Sequence, residues 1–164
     1  MVKQYKARKG APFSQKNAQR YGECLNEMAK EKNGTVKPRE VVKEAEKKSS
    51  PLNDYFDWNN SSAGEKYRLY QARNLINSIV VVVKYEDGEK EYKDFVNVNE
   101  SPNDEDVNRT YVTMERAMSE PELRIQVLER ALREVEYWEQ NYINFKELSK
   151  IFDAIKVTKK KLKK

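Results

Sequence analysis

Apolar side chains recur every three or four positions in the first third of the chain, a spacing that places them on one face of an α-helix. The first run begins after Ser14, a residue suited to cap a helix, and ends at Asn33 and Gly34. A second, shorter run begins at Pro38, which fits the first turn of a helix. The apolar positions are Ala18, Tyr21, Leu25, Met28 and Ala29 in the first predicted helix, and Val41, Val42 and Ala45 in the second.

Two short helices joined through a glycine-containing turn, in a basic segment, allow two interpretations. We favour a helical hairpin that packs on the core, because Glu40, Glu44 and Glu46 dilute the positive charge of the second helix. A DNA-binding helix-turn-helix is the alternative.

A third helix is predicted to begin at Ser62 and Glu65, which have the spacing of a capping box. The apolar period then changes to two, so residues 80–98 are predicted to form a β-hairpin. Asp87 and Gly88 are a favoured two-residue turn, which would place Lys84 opposite Glu91. Because a lone hairpin is only marginally stable, residues 109–114 are expected to add a third strand.

A long amphipathic helix is predicted over residues 120–155, after a second capping box at Ser119 and Glu122. If unbroken, it would be about 36 residues or roughly 54 Å long, which exceeds the diameter of a compact domain of this size. Part of it must therefore pack on another helix, a second subunit or a partner. Asn141 and Asn144 mark the expected bend.

The predicted fold class is α+β, in one domain over residues 14–155. The helical part covers residues 14–79, and the small antiparallel hairpin or meander covers residues 80–114. The long C-terminal helix completes the domain. Residues 1–13 are predicted to be a flexible basic arm, and residues 156–164 a basic tail.

Composition excludes several classes of chemistry. The 164 residues contain no histidine and one cysteine, Cys24, so His-based catalysis, an internal disulfide and nearly every zinc site are excluded. The glycine patterns of nucleotide-binding loops are absent from the sequence, and Asp104, Glu105 and Asp106 lack the spacing of a calcium loop. We therefore expect a non-enzymatic protein without cofactor or metal. No signal peptide or long apolar run is visible, so we expect it to be soluble and intracellular.

Positive charge is concentrated at both ends of the chain. Residues 1–48 carry 13 basic and 6 acidic residues, and residues 156–164 carry 6 basic and none acidic. Such runs contact phosphates without reading base sequence, and they suit nucleic acid or an acidic protein surface. Folding of the basic ends against the acidic middle of the chain, or a contribution to solubility, is the alternative. The candidate contacts are Lys3, Lys6, Arg8, Lys9, Lys16, Arg20, Lys37, Arg39, Lys43, Lys159, Lys160, Lys161, Lys163 and Lys164.

Tyr55, Phe56 and Trp58 form an aromatic cluster that could stack on bases. Asp54 and Asp57 flank it, however, and they would repel phosphate. We therefore predict that the cluster is a buried junction between the helical hairpin and the third helix, and that Arg68 ties it through one of these aspartates.

This region resembles small proteins of tailed bacteriophages and prophages. Their sequences read roughly V-V-x-x-A, then S-P-L-x-x-x-F-x-W, then Y-R-x-x-Q-A-R-x-L-I, which correspond here to residues 41–45, 50–58 and 67–76. The chain departs from that pattern at Asn53, where relatives have His, and at Asn59, where they have an acidic residue. The resemblance implies a phage context and no particular activity, with the cytoplasm of the infected bacterium or the virion as the location.

Together these features predict a non-enzymatic phage accessory protein that binds nucleic acid through its basic ends, without strong sequence specificity. The alternative is a protein-interaction module, such as a virion assembly component or an inhibitor of a host or defence protein. Self-association through residues 120–155 is expected in either case.

Overall fold

The computed structural model describes residues 3–58, 64–86, 88–98 and 109–162. Within those ranges the chain has the predicted α+β class, with six α-helices and six strands. The helices are α1 Gln15–Glu31, α2 Pro38–Ala45, α3 Gly64–Ser78, α4 Met114–Ser119, α5 Pro121–Tyr142 and α6 Ser149–Leu162. The strands are β1 Gln4–Ala7, β2 Thr35–Val36, β3 Ile79–Tyr85, β4 Gly88–Lys93, β5 Phe95–Val98 and β6 Thr110–Thr113.

The strands form two antiparallel sheets of three strands each. The first has the order β1-β3-β4 and the second has the order β2-β6-β5. The chain crosses from one sheet to the other at Asp94, the single residue between β4 and β5. The main core joins both sheets to α1, α2 and α3, and its largest fully buried side chains include Tyr21, Leu25, Leu75, Phe95 and Tyr111.

The prediction of a flexible arm over residues 1–13 is wrong for β1, which pairs with β3 and places Tyr5 opposite Val81. Two interactions order this strand. The Tyr5 ring is buried against Gly22 of α1, where a Cβ atom would lie 2.3 Å from the ring. The side-chain oxygen of Gln19 also accepts a hydrogen bond of 2.8 Å from the Tyr5 amide. Four residues are too few to show a strand period, so the sequence pattern missed β1.

The two predicted N-terminal helices are present, but the segment between them is itself a strand. Asn33 and Gly34 both have positive φ, and the turn that they make directs β2 onto the edge of β6. The Gly34 carbonyl accepts a hydrogen bond of 2.8 Å from the Thr113 amide. The helix α2 then packs on α3, so the connection contributes to the second sheet as well as reversing the chain.

The hairpin of β3 and β4 forms, but in a different register from the predicted one. Lys84 lies opposite Glu89 instead of Glu91, and the two side chains make an ion pair of 3.8 Å. This register separates Glu86 from Glu89, two like charges that the predicted turn would have placed face to face. The third predicted strand, β6, is confirmed, but it pairs with β5 and β2.

The long C-terminal helix bends close to the predicted place. α5 ends at Tyr142, a short 3-10 helix covers Lys146–Leu148, and α6 then runs back along α5. The Trp138 and Phe152 rings lie 5.9 Å apart, and the Lys159 ammonium pairs with Glu136. A single unbroken helix over residues 120–155 is therefore not formed. The predicted basic tail is also corrected, because α6 remains helical as far as Leu162.

The contact between Tyr5 and Gly22 gives a test with an unusual sign. A Gly-to-Ala change inside an ordinary exposed helix stabilises it by about 1 kcal/mol. Here we expect Gly22→Ala to lower the free energy of unfolding by about 1–3 kcal/mol, because the added methyl group overlaps the Tyr5 ring. Urea denaturation measures the change. In a Tyr5→Ala background the same substitution should become neutral or stabilising, and an equal loss in both backgrounds would contradict the contact.

Candidate functional site

Three cations of the N-terminal basic cluster are held by carboxylates of the chain itself. The Lys3 ammonium lies 2.9 Å from the Asp94 carboxylate, which is almost fully buried. The Lys6 ammonium lies 3.2 Å from Glu89 and 3.3 Å from Glu91 on β4. Arg20 pairs with Asp54. These charges are largely neutralised in place, which reduces the positive potential that a phosphate backbone would meet.

The other candidate cations of the N-terminal half are exposed. The Arg8 guanidinium donates a hydrogen bond of 3.4 Å to the Ser78 hydroxyl, and its charge faces solvent. On α2, Arg39 and Lys43 border a shallow cleft that also contains Glu46 and Glu65, so both signs of charge are present there. The remaining exposed candidates are Lys9 and Lys16, near the start of α1, and Lys37, at the start of α2.

At the C-terminal end, the helix α6 carries five basic residues and one acidic residue. Lys159 pairs with Glu136 of α5, whereas Lys156, Lys160 and Lys161 are exposed and make no ion pair within the described chain. The predicted contacts Lys163 and Lys164 lie outside the described residues. The structure therefore separates the predicted site into several small groups of cations on different elements.

The aromatic cluster is a buried junction, as predicted. Phe56 is 6% exposed, and Tyr55 and Trp58 pack against the same core. The Trp58 indole donates a hydrogen bond of 3.0 Å to the Asn53 carbonyl, and the Gln71 side chain of α3 donates one of 3.3 Å to the Tyr55 carbonyl. Burial raises the pKa of Tyr55 to about 12. These rings are therefore unavailable as a platform for bases.

Of the two aspartates predicted to hold Arg68, Asp54 is held by other groups. Asp54 is bound by Arg20, and it also accepts a hydrogen bond of 3.0 Å from the Tyr21 hydroxyl. Arg68 lies over the Trp58 ring, with its guanidinium carbon 5.7 Å from the ring centre. Arg68 thus contacts the cluster through an aromatic face.

The C-terminal arm, defined as Pro121–Tyr142 and Ser149–Leu162 with the turn between them, has a different surface from the rest of the molecule. Among the described residues of the arm, only Leu123 and Phe152 have buried apolar side chains. Nine of the fourteen exposed large hydrophobic side chains of the described residues belong to it. They are Ile125, Val135, Tyr137, Trp138, Tyr142, Ile143, Phe145, Ile151 and Val157.

Metal-binding clusters and the single cysteine were the remaining candidates for chemistry. The described residues contain no group of three or more His, Cys, Asp or Glu side chains placed to hold a metal ion. Cys24 is buried, and burial raises the pKa of its thiol to about 11, which keeps it protonated and unreactive. None of the described helices combines the length and apolar content needed to cross a membrane.

Comparison with protein-family models, with curated proteins and with solved structures finds no match for this chain.

The ion pair between Lys3 and Asp94 has a structural consequence that can be measured. The Asp94 carbonyl also accepts a hydrogen bond of 2.7 Å from the Met114 amide. At the crossing between the two sheets, Asp94 therefore contacts both Lys3, just before β1, and the first residue of α4. We expect Asp94→Asn to lower the free energy of unfolding by about 1–3 kcal/mol, because it leaves the Lys3 charge without its partner. Chemical denaturation measures the loss. Asp153→Asn on the exposed side of α6 is the control, and equal stability of both variants would contradict this role.

Proposed function

We propose that the protein is a protein-interaction module that self-associates through its C-terminal arm. The observation that carries this proposal is the concentration of nine exposed large hydrophobic side chains on α5, α6 and their connection. Exposed apolar side chains concentrated in one region in this way are typical of an interaction site.

The arm exposes this surface because the contact between α5 and α6 covers only part of each helix. Val135, Trp138 and Tyr142 recur at spacings of three and four, so they form one stripe of α5. The rings of Trp138 and Tyr142 lie 5.4 Å apart, and the Phe145 ring lies 6.1 Å from Tyr142. The stripe nevertheless remains between 36% and 43% exposed, because α6 covers only one side of it. A further pair of helices would remove it from water.

The charges of the arm favour a second copy of the chain as the occupant. α5 carries five acidic and three basic residues, whereas α6 carries five basic and one acidic. A two-fold arrangement can place the acidic helix of each copy beside the basic helix of the other. Such a surface is self-complementary, which is the requirement for a symmetric dimer. The four helices would then form a bundle around the apolar stripes.

The resemblance to tailed-phage proteins supports a particular setting for this activity. Under this proposal the module acts in virion assembly or holds a host protein, with the dimer as its working form. No catalytic step is required for either role.

Self-association can be tested by sedimentation velocity over a series of protein concentrations. We expect a monomer–dimer equilibrium in the intact chain. The double substitution Val135→Glu and Tyr142→Glu should raise the dimer dissociation constant at least about tenfold, because it buries two charges in the proposed interface. Circular dichroism checks that the helical content is retained.

A matched control changes two exposed aromatic residues outside the arm. Tyr67 and Tyr70 of α3 are 49% and 54% exposed and stack on each other. Tyr67→Glu with Tyr70→Glu introduces the same charge and should leave dimerisation unchanged. An intact chain that sediments as a monomer at every concentration would overturn the proposal.

A second candidate function, nucleic-acid binding, is supported by the exposed cations of α6. Lys156, Lys160 and Lys161 lie within six positions on one helix and make no ion pair within the described chain. A helix end of this kind can follow a phosphate backbone, with no means of reading bases. The carboxylate pairing of Lys3, Lys6 and Arg20 places this candidate second.

Fluorescence anisotropy with a labelled single-stranded oligonucleotide tests this candidate. Binding should weaken as salt increases, and Lys156→Ala, Lys160→Ala and Lys161→Ala together should reduce the slope of log affinity against log salt by about 2. The control removes three exposed lysines elsewhere, Lys30, Lys48 and Lys66, and should preserve that slope. No binding at low salt, or equal losses in both triple variants, would exclude α6 as a nucleic-acid contact.

A further inference from the structure

A polar cleft lies between α5 and the second sheet, at positions of α5 N-terminal to the exposed stripe of the arm. Its volume is about 570 Å³. Three cationic side chains line it, together with one carboxylate, Glu134. The groups that matter for binding are Asn77, Lys93, Asn97, Arg109, Tyr111 and Arg130, and we call this the α5 cleft.

Arg130 is oriented in the α5 cleft by a neutral partner. Its guanidinium donates one hydrogen bond to the Asn97 carbonyl and a second, of 3.2 Å, to the Asn97 side-chain oxygen. No carboxylate within the described chain forms an ion pair with it. Uncharged oxygens therefore fix the direction of the Arg130 guanidinium. Its positive charge is not balanced by contact with a carboxylate of the described residues.

The electrostatic surroundings increase this imbalance. Burial and the nearby charge of Arg133 lower the pKa of Arg130, and Arg109 acts in the same direction, whereas Glu134 opposes them. An arginine remains protonated at neutral pH, so a lowered pKa means that the positive charge is held in an unfavourable place. A bound anion would relieve that cost.

Tyr111 supplies a neutral donor in the same cleft. Its side chain is 1% exposed, and its hydroxyl accepts a hydrogen bond of 3.2 Å from the Asn77 side-chain amide. The hydroxyl proton has no acceptor among the described residues. A buried hydroxyl normally donates as well as accepts, so an acceptor atom of a ligand fits this position.

From these groups we propose that the α5 cleft binds a phosphate group, whether of a small organic phosphate or of a nucleic-acid strand. The phosphate oxygens would accept hydrogen bonds from Arg130 and Tyr111, and Lys93 would contribute its charge at the rim. An arginine fork matches the geometry of phosphate oxygens, and Val127 and Ala131 form an apolar side of the cleft. The site uses α5 residues N-terminal to the proposed dimer stripe, and it includes none of the lysines of α6.

Titration of the ¹⁵N-labelled full chain with inorganic phosphate, at constant ionic strength, tests the site by NMR. We expect saturable shifts of the Asn97 amide and of the Arg130 Nε–H signal, and chloride over the same range should leave them unchanged. Equal responses to phosphate and chloride would overturn the proposal.

Two variants and one control locate the binding. Arg130→Gln removes the charge and keeps a donor for Asn97, and Lys93→Glu reverses the charge at the rim without touching those hydrogen bonds. Each should raise the phosphate dissociation constant about tenfold or more. Lys90→Glu makes the same charge change on the same strand outside the cleft and should leave it unaltered. If Arg130→Gln fails to fold, Lys93→Glu decides alone.

A final comparison identifies the source of the phosphate. If a single-stranded oligonucleotide shifts the same signals at lower concentration than inorganic phosphate, the site receives a strand. If only inorganic phosphate shifts them, it receives a small molecule. Shifts that persist unchanged in both cleft variants would place the phosphate elsewhere and contradict the site.

Discussion

The ring of Tyr5 lies against the backbone of α1 at Gly22, and much of the structure depends on this contact. It holds β1 on the edge of β3, which in turn brings Lys3 to Asp94 and Lys6 to the glutamates of β4. Asp94 lies where the chain crosses from the first sheet to the second. By holding β1 in place, the buried Tyr5 ring therefore connects the start of the chain to both sheets. The same contact gives Lys3 and Lys6 a structural role, because it holds β1 and the residue before it where the carboxylates of Asp94, Glu89 and Glu91 neutralise them.

The C-terminal arm has the opposite character. The central part of the molecule buries its aromatic residues at a junction of α1, α3 and the segment around Phe56, whereas α5 and α6 leave most of theirs in contact with water. The difference follows from geometry, because the contacts of α5 with the second sheet and with α6 leave part of its surface uncovered. We propose that dimerisation completes the packing of the arm. The α5 cleft lies on the same helix, N-terminal to the exposed stripe.

Periodicity predicted the elements that are long enough to show it. The stripe of α3, the apolar run of β3 and the helical pattern of α5 and α6 are all visible in the sequence, as is the buried aromatic junction. The strands β1 and β2 were missed because four and two residues do not establish a period. The predicted hairpin register was wrong: Lys84 lies opposite Glu89, a pairing that keeps Glu86 and Glu89 from facing each other. The α5 cleft could not be predicted, because its groups come from positions as distant as Asn77 and Arg130.

The central claim is that the N-terminal end belongs to the stable core, whereas the C-terminal arm is completed by a second copy. Residue-resolved hydrogen exchange, measured at low and high protein concentration, tests both parts together. The amides of β1 should be protected equally at both concentrations. Those of α5 and α6 should be exchange-prone in dilute solution and become more protected as concentration rises. Rapid exchange in β1, or arm protection that does not depend on concentration, would contradict the account.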